Sequence, residues 1–282
     1  MQYAAHVPKK SAARTALRKR SFDAVARLYD RTRPGYPEPL FDDLAQLSGI
    51  PEGGRILEIG PGPGQATLPL ARRGFSILAL EFGASMARLC RANCREFPKV
   101  EIRNTAFEDW KPEEGTFDMV LAATAFHWIP YKVAYPRCAM ALKPSGSLAL
   151  LWNFVDIPDT EFFNDLRAIY RRIAPHMHLS LPPELRIERQ RKKIVSSGLF
   201  GPVTVLRYPW QSEYMADRYI GLLKTMSDHA ILAPAIRRGL FRAIRRLIND
   251  NGGSFVRPVV AALFLAPKRS GRRPLAATGD RK

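Results

Sequence analysis

A doubly wound α/β sheet is the fold class this sequence predicts, and three observations predict it. Apolar runs of strand length alternate with helix-length patterns between residues 55 and 152, the pattern of a parallel sheet covered on both faces. The first run, Ile56, Leu57 and Ile59, breaks into Gly60-Pro61-Gly62-Pro63-Gly64 and restarts as a helix carrying Ala66, Leu68, Leu70 and Ala71. Strand, glycine-rich turn and helix let a backbone approach a nucleotide-like ligand closely. The second run, residues 76–80, ends in Glu81, 21 positions after Gly60. That is near the spacing of about 20 at which an acid meets ribose hydroxyls in a βαβ unit.

Taken in order, Ser21 is placed to cap a helix holding Phe22, Val25, Ala26, Leu28 and Tyr29. Residues 29–37, YDRTRPGYP, oppose a regular helix; they read either as a rigid connector or as a lid over a ligand. An amphipathic helix over 40–47 ends at Ser48-Gly49. Strands follow at 55–59, 76–81, 100–105, 117–123 and 147–152, with helices at 65–73, 84–97 and 131–142 and a turn at Lys143-Pro144-Ser145-Gly146. Right-handed crossovers put the C-terminal strand ends along one edge, where ligands of such sheets bind. That singles out residues 60–64, 81, 107–110 and 123–129. Beyond Asn153 the pattern becomes helical at 156–180 and, in a charged segment, at 184–198. A strand over 203–210, helices near 216–226 and 230–249, and a long apolar strand over 255–266 close the chain. The last strands can pair antiparallel at the sheet edge.

With 282 residues, 46% of them hydrophobic, the chain can bury one sizeable core. The formal charge of +18 is uneven: residues 1–20 hold +6 and residues 268–282 hold +5, leaving +7 for the body. Both ends read as basic, disordered tails. The first is Arg-rich and acid-free, faintly like a transit peptide, but it lacks the apolar segment of a secretory signal. No apolar run approaches the roughly 18 residues of a membrane span. Cys90, Cys94 and Cys138 are too few and too scattered for a disulfide framework, so a cytoplasmic setting is expected.

The loop itself discriminates between ligands. Gly60 and Gly62 fit a dinucleotide fingerprint, but Gln65 occupies the third glycine position. Pro61 and Pro63 each remove a backbone N–H, the donor that pyrophosphate needs at a helix N-terminus. A phosphate-free adenosyl group with an amino-acid tail suits this loop better.

Here the sequence resembles the class I S-adenosylmethionine-dependent methyltransferases. The matching segments are LEIGPGPG, LALEFGASM with Glu81, AFEDW, FDMVLAATAFHWI and LKPSGSLALLW. The resemblance extends to a bacterial small-molecule subgroup with a methyltransferase type 11-like domain, through FDAVARLYDRTRPGYP and YIGLLKTMSDH, and covers about residues 22–266. It implies a Rossmann-like, seven-stranded sheet, mostly parallel with an antiparallel C-terminal strand, plus a helical cap. It divides the chain into a tail (1–20), a cofactor-binding core (21–155), a helical cap (156–200), strands and helices completing sheet and pocket (201–267), and a second tail (268–282).

The resemblance also implies roles. Gly60, Gly62 and Gly64 would pass under the methionine part of S-adenosyl-L-methionine, with Glu58 ordering the loop. Glu81 would bind the ribose hydroxyls, Phe82 and Met86 would flank the adenine, and Phe107 and Glu108 would line its other side. Tyr29, Arg33 and Tyr36 would close the front, and Thr124 to Trp128 would lie beside the transferring methyl. Methyl transfer is an in-line displacement that needs a base only for some acceptors. His127 is the candidate base or positioning group beside Trp128, and His229 could face the same cavity, though a Ser227-Asp228 helix cap with an incidental His is the preferred reading of that segment.

A small-molecule acceptor is expected. The alternatives are a nucleic-acid (RNA) methyltransferase, motivated by the charge, and a non-catalytic cofactor-binding protein. The fourth strand ends Thr124-Ala125-Phe126-His127-Trp128, without the Asp/Asn-Pro-Pro-aromatic run of base-modifying enzymes. His176-Met177-His178 has no Cys or acid at ligand spacing, so no metal is expected.

Overall fold

The computed structural model describes residues 25–177 and 181–269, and strands form where the apolar runs predict them. They are β1 (Arg55–Ile59), β2 (Ser76–Leu80), β3 (Val100–Arg103), β4 (Phe117–Ala123), β5 (Leu142–Val155), β6 (Thr204–Met215) and β7 (Ser254–Pro267). One sheet holds them in the order β3-β2-β1-β4-β5-β7-β6. β1 to β5 are parallel to one another, and β7 runs antiparallel between β5 and β6. This is the Rossmann-like, mostly parallel sheet with one antiparallel C-terminal strand that the sequence predicts.

Helices cover both faces: α1 (Ala26–Thr32), α2 (Glu38–Ser48), α3 (Thr67–Arg72), α4 (Ala84–Asn93), α5 (Tyr131–Ala141), α6 (Glu161–Ile173), α7 (Pro183–Ser196), α8 (Ala216–Lys224), α9 (Ser227–Ala230) and α10 (Pro234–Asp250). Alternation along β1 sorts its side chains. Ile56 packs with Leu40, Phe41 and Leu44 of α2 and Leu70 of α3. Leu57 and Ile59 point the other way, into a cluster with Cys138 of α5 and Ile187 and Ile194 of α7. Each such fully buried side chain contributes roughly 1.5–3 kcal/mol.

A third core lies beyond the strand ends. There Phe163, Leu166 and Tyr170 of α6 meet Tyr219, Leu222 and Leu223 of α8 and Leu240, Ile244 and Ile248 of α10. The apolar stripe of α10 repeats every four residues, which leaves Arg238, Arg242, Arg245 and Arg246 in solvent.

Several boundaries differ from expectation for local reasons. Helix α1 continues through Tyr29 to Thr32 and stops because Arg33 precedes Pro34; Arg33 is extended, at φ −74° and ψ 132°. The predicted turn at residues 143–146 is instead a bulge inside β5. Phe117 pairs with Leu142 and Met119 with Ser147, so the intervening β5 residues arch outward. Lys143 Nζ pins the arch to Asp118 at 2.8 Å. The predicted helix over 156–180 is confined to Glu161–Ile173, bounded by Pro158 and Pro175. β6 extends five residues past Trp210, and its Pro209 is tolerated because β6 is an edge strand. Ser21, Phe22, His178 and nearly all of both basic tails lie outside the described residues.

One helix contact joins distant parts of the chain. A Cβ at Gly221 on α8 would sit 2.8 Å from Thr32 Cγ2 and 3.4 Å from Leu28 Cδ1 on α1. Glycine alone lets these helices approach so closely.

Candidate active site

The glycine loop leaves β1 with Gly60 at φ +66° and Gly62 at φ +58°. Gly60 N–H donates to Leu80 O at 2.9 Å, and a Cβ there would lie 2.7 Å from Ala125 Cβ. Both the backbone angle and this approach require glycine. Gly62 N–H donates to Glu81 Oε2 at 3.0 Å, and Gly83 N–H donates to Glu81 Oε1 at 2.8 Å. One carboxylate thus fastens the loop tip to the end of β2.

A cavity of about 750 Å³ opens above the C-terminal strand ends. Of the residues singled out by sequence, Tyr29, Arg33, Gly60, Gly62, Glu81, Phe82, Met86, Phe107, Glu108, Thr124, His127, Trp128 and His229 all line it. Tyr36 does not; it lines an adjoining pocket of about 70 Å³ beside Gly60, Gly62 and Thr124. Gly64 lines neither pocket: its φ is +103° and a Cβ there would meet Cys90 Sγ at 3.4 Å. Its freedom therefore serves packing on α4.

Glu58 also lines neither, being fully buried beneath the loop and accepting from Thr67 Oγ1 at 2.7 Å. Its Oε1 has no partner among the described residues. Burial pushes this carboxyl up to about 7, against the pull of the Thr67 hydroxyl.

Thr124, at the end of β4, holds φ +54°, a strained angle for a β-branched residue. Its amide donates to Leu151 O at 2.8 Å and its Oγ1 lies 2.7 Å from the Tyr36 hydroxyl. These bonds hold it in place. His127 and Trp128 follow on a short 3₁₀ turn, their rings 4.8 Å apart. Arg33 lies against the Tyr29 ring and donates through Nε and Nη2 to Thr225 Oγ1 and O at 2.9 and 3.0 Å. The segment after α1 and the segment after α8 are therefore bonded together across the mouth.

Known proteins resemble this chain in sequence and in fold. Residues 56–146 match the family model described as a methyltransferase domain. Over these residues the chain carries a methyltransferase domain. An uncharacterized methyltransferase of Mycobacterium tuberculosis is 33% identical over 136 residues, covering 48% of this chain and 53% of that protein. The chain thus spans about half the length of the curated relatives it matches. A structure described as a methyltransferase of an antibiotic biosynthesis pathway in Anabaena variabilis aligns with TM-score 0.59 at 14% identity, over 83% of this chain and 98% of that one. Haemonchus contortus phosphoethanolamine N-methyltransferase 2, in complex with phosphomonomethylethanolamine and S-adenosylhomocysteine, aligns with TM-score 0.51 at 17% identity, over 87% of this chain and 57% of that one. At such identities the solved structures show the fold alone.

The methyltransferase domain accounts for the loop side of the cavity. The far side is built by Trp152 and Phe154 of β5, by α6 to α9, and by Arg257 and Val259 of β7. His229 is 3% exposed there. Its Nδ1 lies 2.8 Å from Asp228 Oδ1 and its Nε2 lies 2.8 Å from the Tyr170 hydroxyl. No side-chain bond caps α9, so the expected Ser227-Asp228 cap is replaced by an Asp228–His229–Tyr170 chain. Burial raises the Asp228 carboxyl, but the hydrogen bond and charge of His229 outweigh it and hold the group below its usual range. Burial drives the Tyr170 hydroxyl well up.

Tyr170, Arg186 and Arg257 were not singled out by sequence, although signals for them exist. Arg186, Arg189, Gln190 and Lys193 recur at helical spacing on one face of α7, and all four line the cavity. Arg257 shares a strand face with the apolar Phe255 and Val259, and a charge on an inward face is a site signal. No group of three or more His, Cys, Asp or Glu could hold a metal among the described residues, and the three cysteines are free and buried. No described helix is long and apolar enough to cross a membrane.

Proposed function

We propose that the protein transfers the methyl group of S-adenosyl-L-methionine to a small organic acceptor held on the far side of the cavity. The observation that carries this reading is continuity: the glycine loop with Glu81 and the aromatic chamber of α6 to α9 line one cavity. Its volume falls within the roughly 300–1,000 Å³ of small-molecule sites. The residues fit the cofactor. Gly60 and Gly62 present backbone without Cβ, Pro61 and Pro63 withhold the amides a phosphate would need, and Glu81 suits a ribose diol. Met86 and Phe107, both buried, with Phe82 at 45% exposure on the rim, form an apolar slot suited to adenine. When bound, the cofactor supplies an electrophilic sulfonium methyl.

The remaining work falls to the chain. Trp152, Phe154, Phe163 and Tyr219 exclude water and hold the acceptor, which is most of what an in-line transfer requires. Where the acceptor must lose a proton, Tyr170 and His229 take it. Asp228, ionised, can only accept, so His229 Nδ1 donates to it. In the neutral ring Nε2 then accepts from the Tyr170 hydroxyl. A proton reaching Tyr170 is passed to His229 Nε2, and Asp228 stabilises the resulting imidazolium. His127 and Trp128 wall the cavity where β4 ends. A chamber roofed by four helices gives little room for a base within a polynucleotide, and this favours the small acceptor over nucleic acid.

Isothermal titration tests the cofactor assignment. S-adenosyl-L-methionine is expected to bind in the micromolar range and to lose affinity in Glu81→Ala. No binding to the wild type, or equal binding to both, overturns the reading.

A further inference from the structure

We propose that the acceptor carries an anionic oxyacid group, a carboxylate or a phosphate, and that Arg257 and Arg186 grip it on the far side of the cavity. This deepens the acceptor-site reading and rests on it.

The argument begins with Arg257. The residue is 9% exposed, yet its guanidinium makes no hydrogen bond or ion pair among the described residues. Its contacts are the faces of Tyr219 and Tyr214, at 5.7 and 6.0 Å. Arg186 enters the cavity from α7, lies 4.7 Å over the Phe154 ring, and has Nη1 buried without a partner. The two cations sense each other: burial first, then the charge of Arg257, pulls the Arg186 guanidinium down to about 10. Taking a guanidinium from water without a counter-charge costs several kcal/mol, and placing two together adds repulsion. A fold retains such a pair where something bound between them offsets the cost.

Among the described residues no hydrogen bond or ion pair joins an acid to either guanidinium. Three acids line the cavity, Glu81, Glu108 and Asp228. Glu81 holds the glycine loop, and Asp228 holds the His229 ring. The α7 face adds Arg189 on the same side, while Lys193 is bonded to the Tyr131 hydroxyl at 2.8 Å. A planar fork of donors on each arginine matches the oxygens of a carboxylate or phosphate in a way an uncharged group does not. The Arg257 charge also acts on Tyr170, which puts the anion site beside the proton-accepting chain and orients the acceptor toward it.

Titration of benzoate, phenyl phosphate, inorganic phosphate and uncharged benzamide into the full chain, with and without S-adenosylhomocysteine, tests this. At least one anion is expected to bind tenfold or more tighter than benzamide. The tighter of benzoate and phenyl phosphate identifies the group. Arg257→Met and Arg186→Met should each lower that affinity at least tenfold, with S-adenosylhomocysteine affinity unchanged within twofold. Arg257→Lys, which keeps the charge but not the fork, should fall between wild type and Arg257→Met and serves if the latter does not fold. Benzamide binding as tightly as all three anions, or anion affinity unmoved by the substitutions, overturns the proposal. Failure of S-adenosylhomocysteine to bind the wild type would count against the cofactor reading alone, since the anion preference is read without it as well.

Discussion

The two sides of the cavity are assembled differently. On the loop side, the contributing residues sit at or just beyond the ends of neighbouring parallel strands: Gly60 and Gly62 after β1, Glu81 and Phe82 after β2, Thr124 after β4. Each is placed by its own strand, and their shared edge follows from chain direction. On the far side, Trp152, Tyr170, Arg186, Leu222, His229 and Arg257 come from six elements spread over about a hundred residues, and their meeting depends on how helices pack. The first side is a property of strand topology and the second of tertiary packing. The proposed cofactor and acceptor functions should therefore be separable by mutation.

The strongest way to break that separation is at His229. His229→Gln keeps the bulk but cannot accept and relay a proton. The turnover number is expected to drop by roughly 10²–10⁴, with cofactor affinity unchanged by titration; parallel losses in both would show that the sides are not independent. Glu81→Ala should do the reverse, weakening S-adenosyl-L-methionine binding by roughly 10²–10³ as two charge-assisted bonds are lost, while the anion preference of the far side persists.

Glu58 sharpens the loop side through pH. Below about pH 4.5 its carboxyl is protonated in folded and unfolded chains alike. As pH rises toward 7 the unfolded chain releases the proton while the folded chain, held at about 7, keeps it, so stability falls; above 7 the full penalty stands. Glu58→Gln removes it. Urea midpoints should show the variant more stable by roughly 3 kcal/mol at pH 8 and close to wild type at pH 4.5. Last, Gly221→Ala places a methyl 2.8 Å from Thr32 Cγ2. It should cost roughly 1–3 kcal/mol in thermal unfolding and shift both affinities slightly, because it parts the helices that carry Arg33 and Thr225.

The same contrast explains what the sequence revealed. The sheet was legible because buried parallel strands are apolar along their whole length, and the loop because Gly60 and Gly62 stand where φ must be positive. Gly64 was legible as a glycine but not as to purpose, since its neighbour Cys90 is reached only through folding. The arch at residues 143–146 read as a turn because Pro and Gly mark turns and bulges alike. Arg186 and Arg257 were hidden because a charged helix and an isolated arginine ordinarily face water. Only the registry of β7 against β5, and the seating of α7 beside it, turn them inward. His229 read as an accident of a cap because its partner Tyr170 lies 59 positions away.

The placement of β7 has a consequence for how the chain is made. β6 pairs with β7 alone, yet it is separated from it by 38 residues. During synthesis from the N-terminus, β5 and β6 both present open edges until the last strand emerges. β7 then closes both ladders in one insertion and brings Arg257 into the cavity with it. Such late, long-range pairing is slow, and open edges are where chains associate wrongly. The far side of the cavity is thus completed only when β7 pairs, and a chain halted before Ser254 would have neither β7 between β5 and β6 nor that arginine.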